Sequence, residues 1–145
     1  MFQFRLDPLI TIRDNTLKER QGELAKAYEA HAKVEEWMQE VQKTLTENTE
    51  SMRQAIQKGG AIDVNYLLGV QRQEMFLKSE RTRFEGMMKE IDEEIEKRRQ
   101  AVMQANKELK IVEKLKEKRY EKYISEENLK ESKMLDEVAG NIRRH

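Results

Sequence analysis

The fold class this sequence predicts is all-α: a long antiparallel two-helix coiled-coil hairpin with unequal arms. Two heptad seams, a glycine pair between them and a composition poor in helix breakers carry that expectation. The first seam reads Ile10, Arg13, Leu17, Arg20, Leu24, Ala27, His31, Val34, Met38, Val41, Leu45, Asn48, Met52, Ala55, in alternating steps of three and four. The second reads Leu67, Val70, Glu74, Leu77, Arg81, Phe84, Met88, Ile91, Ile95, Arg98, Val102, Ala105, Leu109, Val112. Folding the chain at Gly59-Gly60-Ala61 pairs positions whose numbers add to about 122, so that every seam residue faces another. A register shifted by one heptad would also align the seams, but it would move the turn off the glycines into good helix sequence.

Composition agrees. Asp, Glu, Lys and Arg make up 39% of the 145 residues, there is one proline, and the formal net charge is zero. Such usage with heptad periodicity belongs to coiled coils and predicts a thin, solvated molecule rather than a globule. The chain has no cysteine, which excludes a disulfide framework and fits a reducing cytoplasm. Its apolar runs fall short of the roughly 20 residues that cross a bilayer, and Met1 to Arg5 lacks the character of a secretory signal. Direct membrane insertion is therefore not expected.

The whole chain, 1-145, reads as a single hairpin. Asp7-Pro8 is a start signal, Asp as a cap for free amides and Pro as a first helical residue that forfeits no hydrogen bond. Helix one is expected over about 8-58 and the turn over 59-62, where glycine can adopt the left-handed conformation that ends a helix. Asp63 can cap helix two, expected over about 63-139 with Gly140 as the stop. At about 1.5 Å per residue the arms would be roughly 75 Å and 120 Å.

Pairing at this register leaves residues 113-142 overhanging, because Ile10, the first seam residue of helix one, faces Val112. The heptad phase also slips after Val112, through Lys116 and Arg119, before regular spacing resumes as Ile124, Asn128, Glu131, Leu135, Val138, Ile142. Tyr120, Tyr123, Leu129 and Met134 join these on the unpartnered helix, an exposed apolar surface that suits a partner or a disordered tail.

Polar seam positions have structural readings. Asn48 faces Glu74, and a polar layer of this kind penalises slipped alignments, so the two are assigned to a register layer. Arg13, Arg20, Arg81 and Arg98 can lay their methylenes along the seam and hold the guanidinium in water. His31, between Ala27 and Val34, is expected as a packed seam residue; His145 is too remote in sequence to build a metal site with it. Charge is uneven: Lys97 to Lys122 holds ten basic and four acidic residues, whereas Glu85 to Glu96 holds six acidic residues and Lys89. The basic stretch reads equally as a solvated helix face with i,i+4 pairs or as a surface for an acidic partner.

Chemistry finds no foothold. Gly59-Gly60 lacks the Lys-Ser or Lys-Thr of a phosphate loop, and Asp92-Glu93-Glu94 points its carboxylates in different directions around a helix. No catalytic, metal or cofactor-binding residues are assigned, and the chain is not expected to be an enzyme. Zero net charge and a basic stretch without interleaved aromatics argue against nucleic acid as a partner.

Phe4-Arg5-Leu6-Asp7-Pro8-Leu9-Ile10 with Ile12-Arg13, then Glu23-Leu24-Ala25-Lys26-Ala27, resembles the opening of FliJ proteins of the bacterial flagellar export apparatus. Leu115-Lys116-Glu117-Lys118-Arg119-Tyr120-Glu121-Lys122-Tyr123, with Glu126-Glu127 and Lys133 through Leu135-Asp136-Glu137, resembles the same family's C-terminal signature. The resemblance implies a stalk similar to that of rotary ATPases, whose end carrying both termini enters the hexameric ring of the export ATPase FliI and which also contacts the export gate protein FlhA. On that analogy Phe4, Leu6, Leu9, Arg119, Tyr120 and Tyr123 are candidates for the ATPase-ring contact. Gate contact in the family falls early in the second helix, which implies Tyr66, Leu67, Val70, Phe76 and Leu77, although Gly69 and Gln73 interrupt the apolar row there. Some family members also bind export chaperones. The implied setting is the cytoplasm, peripheral to the inner membrane through the export apparatus, with the chain itself a monomer. Two other classes stay open: the equivalent stalk of a virulence type III secretion system, and a passive scaffold whose seams pair in parallel with copies of themselves.

Overall fold

The structure, a computed structural model, describes residues 1–61 and 63–144; Ile62 of the expected turn and His145 lie outside the described residues. It is an all-α hairpin of two helices, α1 (Asp7–Gln57) and α2 (Val64–Arg144), of 51 and 81 residues. Every residue of the two predicted seams is buried or half-buried, as a period of 3.5 requires of positions that face a partner helix. The seams pair with each other inside the chain, antiparallel. Among the described residues no helix is long and apolar enough to cross a membrane.

The helix ends have identifiable causes. The amides of Leu9 and Ile10 donate to the carbonyl of Leu6, at 2.9 and 3.2 Å, so Leu6 occupies the capping position and Asp7 already lies in the first turn. Asp7 therefore does not cap α1, contrary to the expectation from Asp7-Pro8; its carboxylate is drawn off to Lys116 Nζ on α2, 2.8 Å away. At the other end Gly59 takes φ 64°, a conformation that costs a residue with a Cβ about 1 kcal/mol or more. Asp63 Oδ1 accepts from the amide of Asn65 at 2.9 Å, capping α2. Gly140 does not end α2: the helix runs on through Asn141 to Arg144, with Arg143 and Arg144 placed where the helix dipole favours cations.

Contacts group the chain into two compact units, each described by itself: Met1–Gln21 with Ala101–His145, and Gly22–Gln100. In the second unit the core is Val34, Val41, Leu45 and Phe84, with Met38, Leu77, Met87, Met88 and Ile91 packed against it. Ala27 and Ile95 are buried further along the same seam. In the first unit Phe4, Ala105, Leu109 and Val112 are buried.

Polar bonds between α1 and α2 fix the register within each unit. Arg13 Nη1 donates to Glu108 Oε2 at 3.0 Å in the first, and Asn48 Nδ2 to Gln73 Oε1 at 3.0 Å in the second; both pairs add to 121. Asn48 and Glu74 are both half-buried in the seam, and the hydrogen bond of Asn48 runs to the exposed neighbour Gln73 rather than to Glu74. Glu74 instead lies 4.0 Å from Lys78 on its own helix. Arg98 also departs from the expectation that seam arginines point to water: its Nη1 donates to the main-chain oxygen of Glu23 across the helix pair, and its Nε to Glu94 Oε1 at 3.0 Å. His31 sits half-buried in the seam, with Nε2 3.5 Å from Asp92 Oδ1 and Nδ1 3.8 Å from Glu35 Oε2.

Candidate protein-interaction site

Two surfaces collect the candidate residues, one in each unit. In the first unit the segment before α1 is not helical; it lies along α2 and continues the packing past the start of α1. Non-helical chain can advance further per residue than the roughly 1.5 Å of a helix, and between Asp7 and Phe2 its contacts run along α2 from Lys116 to Tyr123, about two turns. Phe4 is only 5% exposed, with the guanidinium carbon of Arg119 5.6 Å from its ring centroid. The Phe2 ring meets Tyr120 edge-on at 5.2 Å and Tyr123 at 5.4 Å, tilted 43°. Such pairs add about 0.5–1.5 kcal/mol beyond the area they bury. The Asp7 to Lys116 ion pair holds the base of the segment.

The unpartnered part of α2 therefore does not begin at residue 113, as the heptads suggest. Val112 is buried, Lys116 and Tyr123 are half-buried, and the fully exposed stretch is 124–144. Along it Ile124, Leu129, Met134, Leu135, Val138 and Ile142 are exposed apolar side chains. Of the residues proposed from sequence on this end, Arg119 and Tyr120 are exposed, Leu6, Leu9 and Tyr123 are half-buried, and Phe4 is enclosed. Phe2 was missed by periodicity, because a short non-helical segment shows no helical repeat. Its alternation with Phe4 is the signal: one apolar side chain at every second residue.

In the second unit α1 and α2 border a groove of about 420 Å³ lined by Trp37, Glu40, Val41, Thr44, Phe76, Leu77, Glu80, Arg83 and Phe84. Trp37 and Phe84 face each other at 5.7 Å between ring centroids. Arg83 lies 5.2 Å over the Phe84 ring and is held there by Glu80 Oε2 at 2.7 Å. Phe76 stands at the edge, 63% exposed. A site of this kind accepts apolar side chains of a partner on its aromatic floor, with charged groups at the rim. Phe76 and Leu77 belong to this groove. Tyr66, Leu67 and Val70 do not line it: Tyr66 is exposed, and Leu67 and Val70 are half-buried in the seam nearer the turn. Trp37 was not among the sequence candidates, because it flanks the seam one position before Met38 and falls outside the heptad row.

A protein-family model described as flagellar FliJ protein matches residues 2–144 of this chain. No curated protein and no solved structure matches it.

Proposed function

We propose that this chain, which belongs to the FliJ family and so to the flagellar export apparatus, serves there as the stalk that engages the export ATPase FliI and the export gate protein FlhA. The ATPase contact is carried by the first unit, through Arg119, Tyr120, Tyr123 and the exposed row that follows them. Leu6 and Leu9 support it from the start of α1, and Phe4, being enclosed, acts by shaping that end. The gate contact is carried by the second unit, on Phe76, Leu77 and Trp37, with Tyr66, Leu67 and Val70 as its extension toward the turn. The chain works as a monomer at the cytoplasmic face of the inner membrane, held there by its partners, and export chaperones are a further class of client in the family.

One observation carries the reading: every described residue from Ile124 to Arg144 is exposed, yet the stretch keeps an apolar row at helical spacing. An 81-residue helix that leaves such a row uncovered is suited to a partner that encloses it. The role requires no reaction in this chain; it acts by stabilising one conformation of the surrounding ATPase subunits over another. The test is FliI ATPase activity with and without the chain. Stimulation and co-sedimentation of the two are expected, and truncation after Lys118, which removes Arg119, Tyr120, Tyr123 and the exposed row, should remove both while the remaining hairpin stays helical. Full stimulation by the truncated chain would overturn the assignment.

A further inference from the structure

The structure divides the basic stretch from Lys97 to Lys122 into two sets. In one, Arg98 and Arg99 pair with Glu94 and Glu96, Lys116 pairs with Asp7, and Arg119 lies by the Phe4 ring. In the other, Lys107, Lys110, Lys114 and Lys118 are exposed, and no carboxylate among the described residues pairs with any of them. All four belong to the first unit. Steps of three, four and four residues set them in one row along α2, about 16 Å long. The row lies opposite Ala105, Leu109 and Val112, whose burial marks the face turned to α1. Glu108, next to its first lysine, is turned away to Arg13 and Gln104. Met103 and Ile111, one turn before and one turn after Lys107, stand exposed among the lysines.

Like charges three and four residues apart repel along a helix, so the row works against α2 in the free chain, and a negative surface would relieve it. We propose that this row is a contact for an anionic phospholipid surface, along which this part of α2 lies with Met103 and Ile111 toward the acyl boundary. Charge complementarity carries the assignment, and the residue type selects the occupant. Recognition of individual carboxylates on a protein favours the planar fork of arginine, whereas the row is entirely lysine, a hydrated point charge on a flexible stem that suits a diffuse layer of headgroup charge. Exposed apolar side chains between the lysines suit the same boundary, where charge and hydrocarbon meet. The row is separate from both candidate sites: Tyr120 and Tyr123 meet Phe2 on another side of α2, and the aromatic groove belongs to the second unit. The contact therefore goes beyond the placement by partners proposed above and does not depend on it.

The test is co-sedimentation of the full chain with phosphatidylcholine vesicles that contain phosphatidylglycerol, against vesicles of phosphatidylcholine alone. A lysine close to an anionic surface raises partitioning by about five-fold, so the anionic vesicles should bind at least about ten-fold more chain. Raising salt from about 0.05 to 0.5 M should remove most of that difference. Changing Lys107, Lys110, Lys114 and Lys118 together to Gln should lower binding to the level of the neutral vesicles, with the melting temperature unchanged or raised. The same change of net charge made by Gln at Lys18, Lys43, Lys78 and Lys130, which have carboxylate partners, should leave binding within about two-fold of the wild type. Equal binding to both kinds of vesicle would overturn the proposal, as would loss in both variants or in neither. Retention on immobilised polyglutamate without binding to anionic vesicles would give the row to an acidic protein and overturn the lipid contact.

Discussion

Arg98 on α2 donates a hydrogen bond from Nη1 to the main-chain oxygen of Glu23 on α1, while Glu94 one turn earlier holds its Nε at 3.0 Å. The acceptor is a carbonyl inside a helix, whose second lone pair remains free beside its own helical bond. A charged donor on a neutral carbonyl is among the stronger hydrogen bonds, and the fork of the guanidinium lets one side chain serve both helices. Arg98→Ala should therefore lower unfolding stability by about 1–2 kcal/mol. Arg98→Lys should recover little of it, because an ammonium cannot satisfy both acceptors in the same geometry. Urea unfolding followed by circular dichroism checks both, and a lysine variant as stable as the wild type would refute the two-acceptor account.

Arg13 looks similar and should behave differently. Its Nη1 is 3.0 Å from Glu108 Oε2, but both side chains are more than a third exposed, and its Nε is enclosed with no hydrogen-bond partner. The pair gains about 0.2–1 kcal/mol, and the unpaired Nε offsets it. Glu108 is not left alone when the arginine goes, since Gln104 Nε2 also donates to it at 3.2 Å. Arg13→Leu, at a seam position, is expected to match or exceed the wild type in melting temperature. A loss of more than about 1 kcal/mol would mean that the ion pair stabilises more than exposed pairs do.

These two arginines mark how far the sequence could be read. The seams, the glycine turn and the register were legible because they rest on repeats of three and four and on one residue type with left-handed freedom. Arg13, Arg98 and Asn48 were legible as seam positions, but not in their partners. A carbonyl acceptor such as that of Glu23 has no residue signature, and a polar side chain can choose between neighbours, as Asn48 does in bonding Gln73. At the candidate sites, Tyr120 was readable as an apolar residue in the wrong place for a solvated helix, and Phe76 only through the family resemblance. Phe2 and Trp37 were not, one lying in a non-helical segment and the other beside the seam, where helical periodicity is silent.

Gly22 and Gly86 lie inside helices, and a Cβ built on either meets nothing within 4 Å. Each position has helical φ, so alanine removes freedom from the unfolded chain without strain in the folded one. Gly22→Ala and Gly86→Ala should each stabilise by about 0.5–1 kcal/mol. Gly59→Ala should do the opposite by about 1 kcal/mol, since its φ of 64° is strained for any residue with a Cβ even though the space is open. Thermal melts of the three variants separate the effects. A stabilised Gly59→Ala would show that the turn does not need the left-handed conformation.

Phe76 and Phe84 border the same groove from different depths, and exchanging each for alanine should separate stability from binding. Phe84 is 7% exposed and packs in the core with Val34, Val41 and Leu45, so Phe84→Ala leaves a cavity and costs about 3 kcal/mol or more. Its loss also removes the floor under Trp37 and Arg83, so weaker gate binding by that variant would carry no information about direct contact. Phe76 is 63% exposed, so Phe76→Ala should unfold within about 0.5 kcal/mol of the wild type. If the groove takes an apolar side chain of FlhA, the same variant should weaken a FlhA pull-down by about ten-fold, because an aromatic anchor in an interface contributes more than 1 kcal/mol. Normal FlhA binding by a folded Phe76→Ala chain would remove the groove from the gate contact and leave Tyr66, Leu67 and Val70 to account for it.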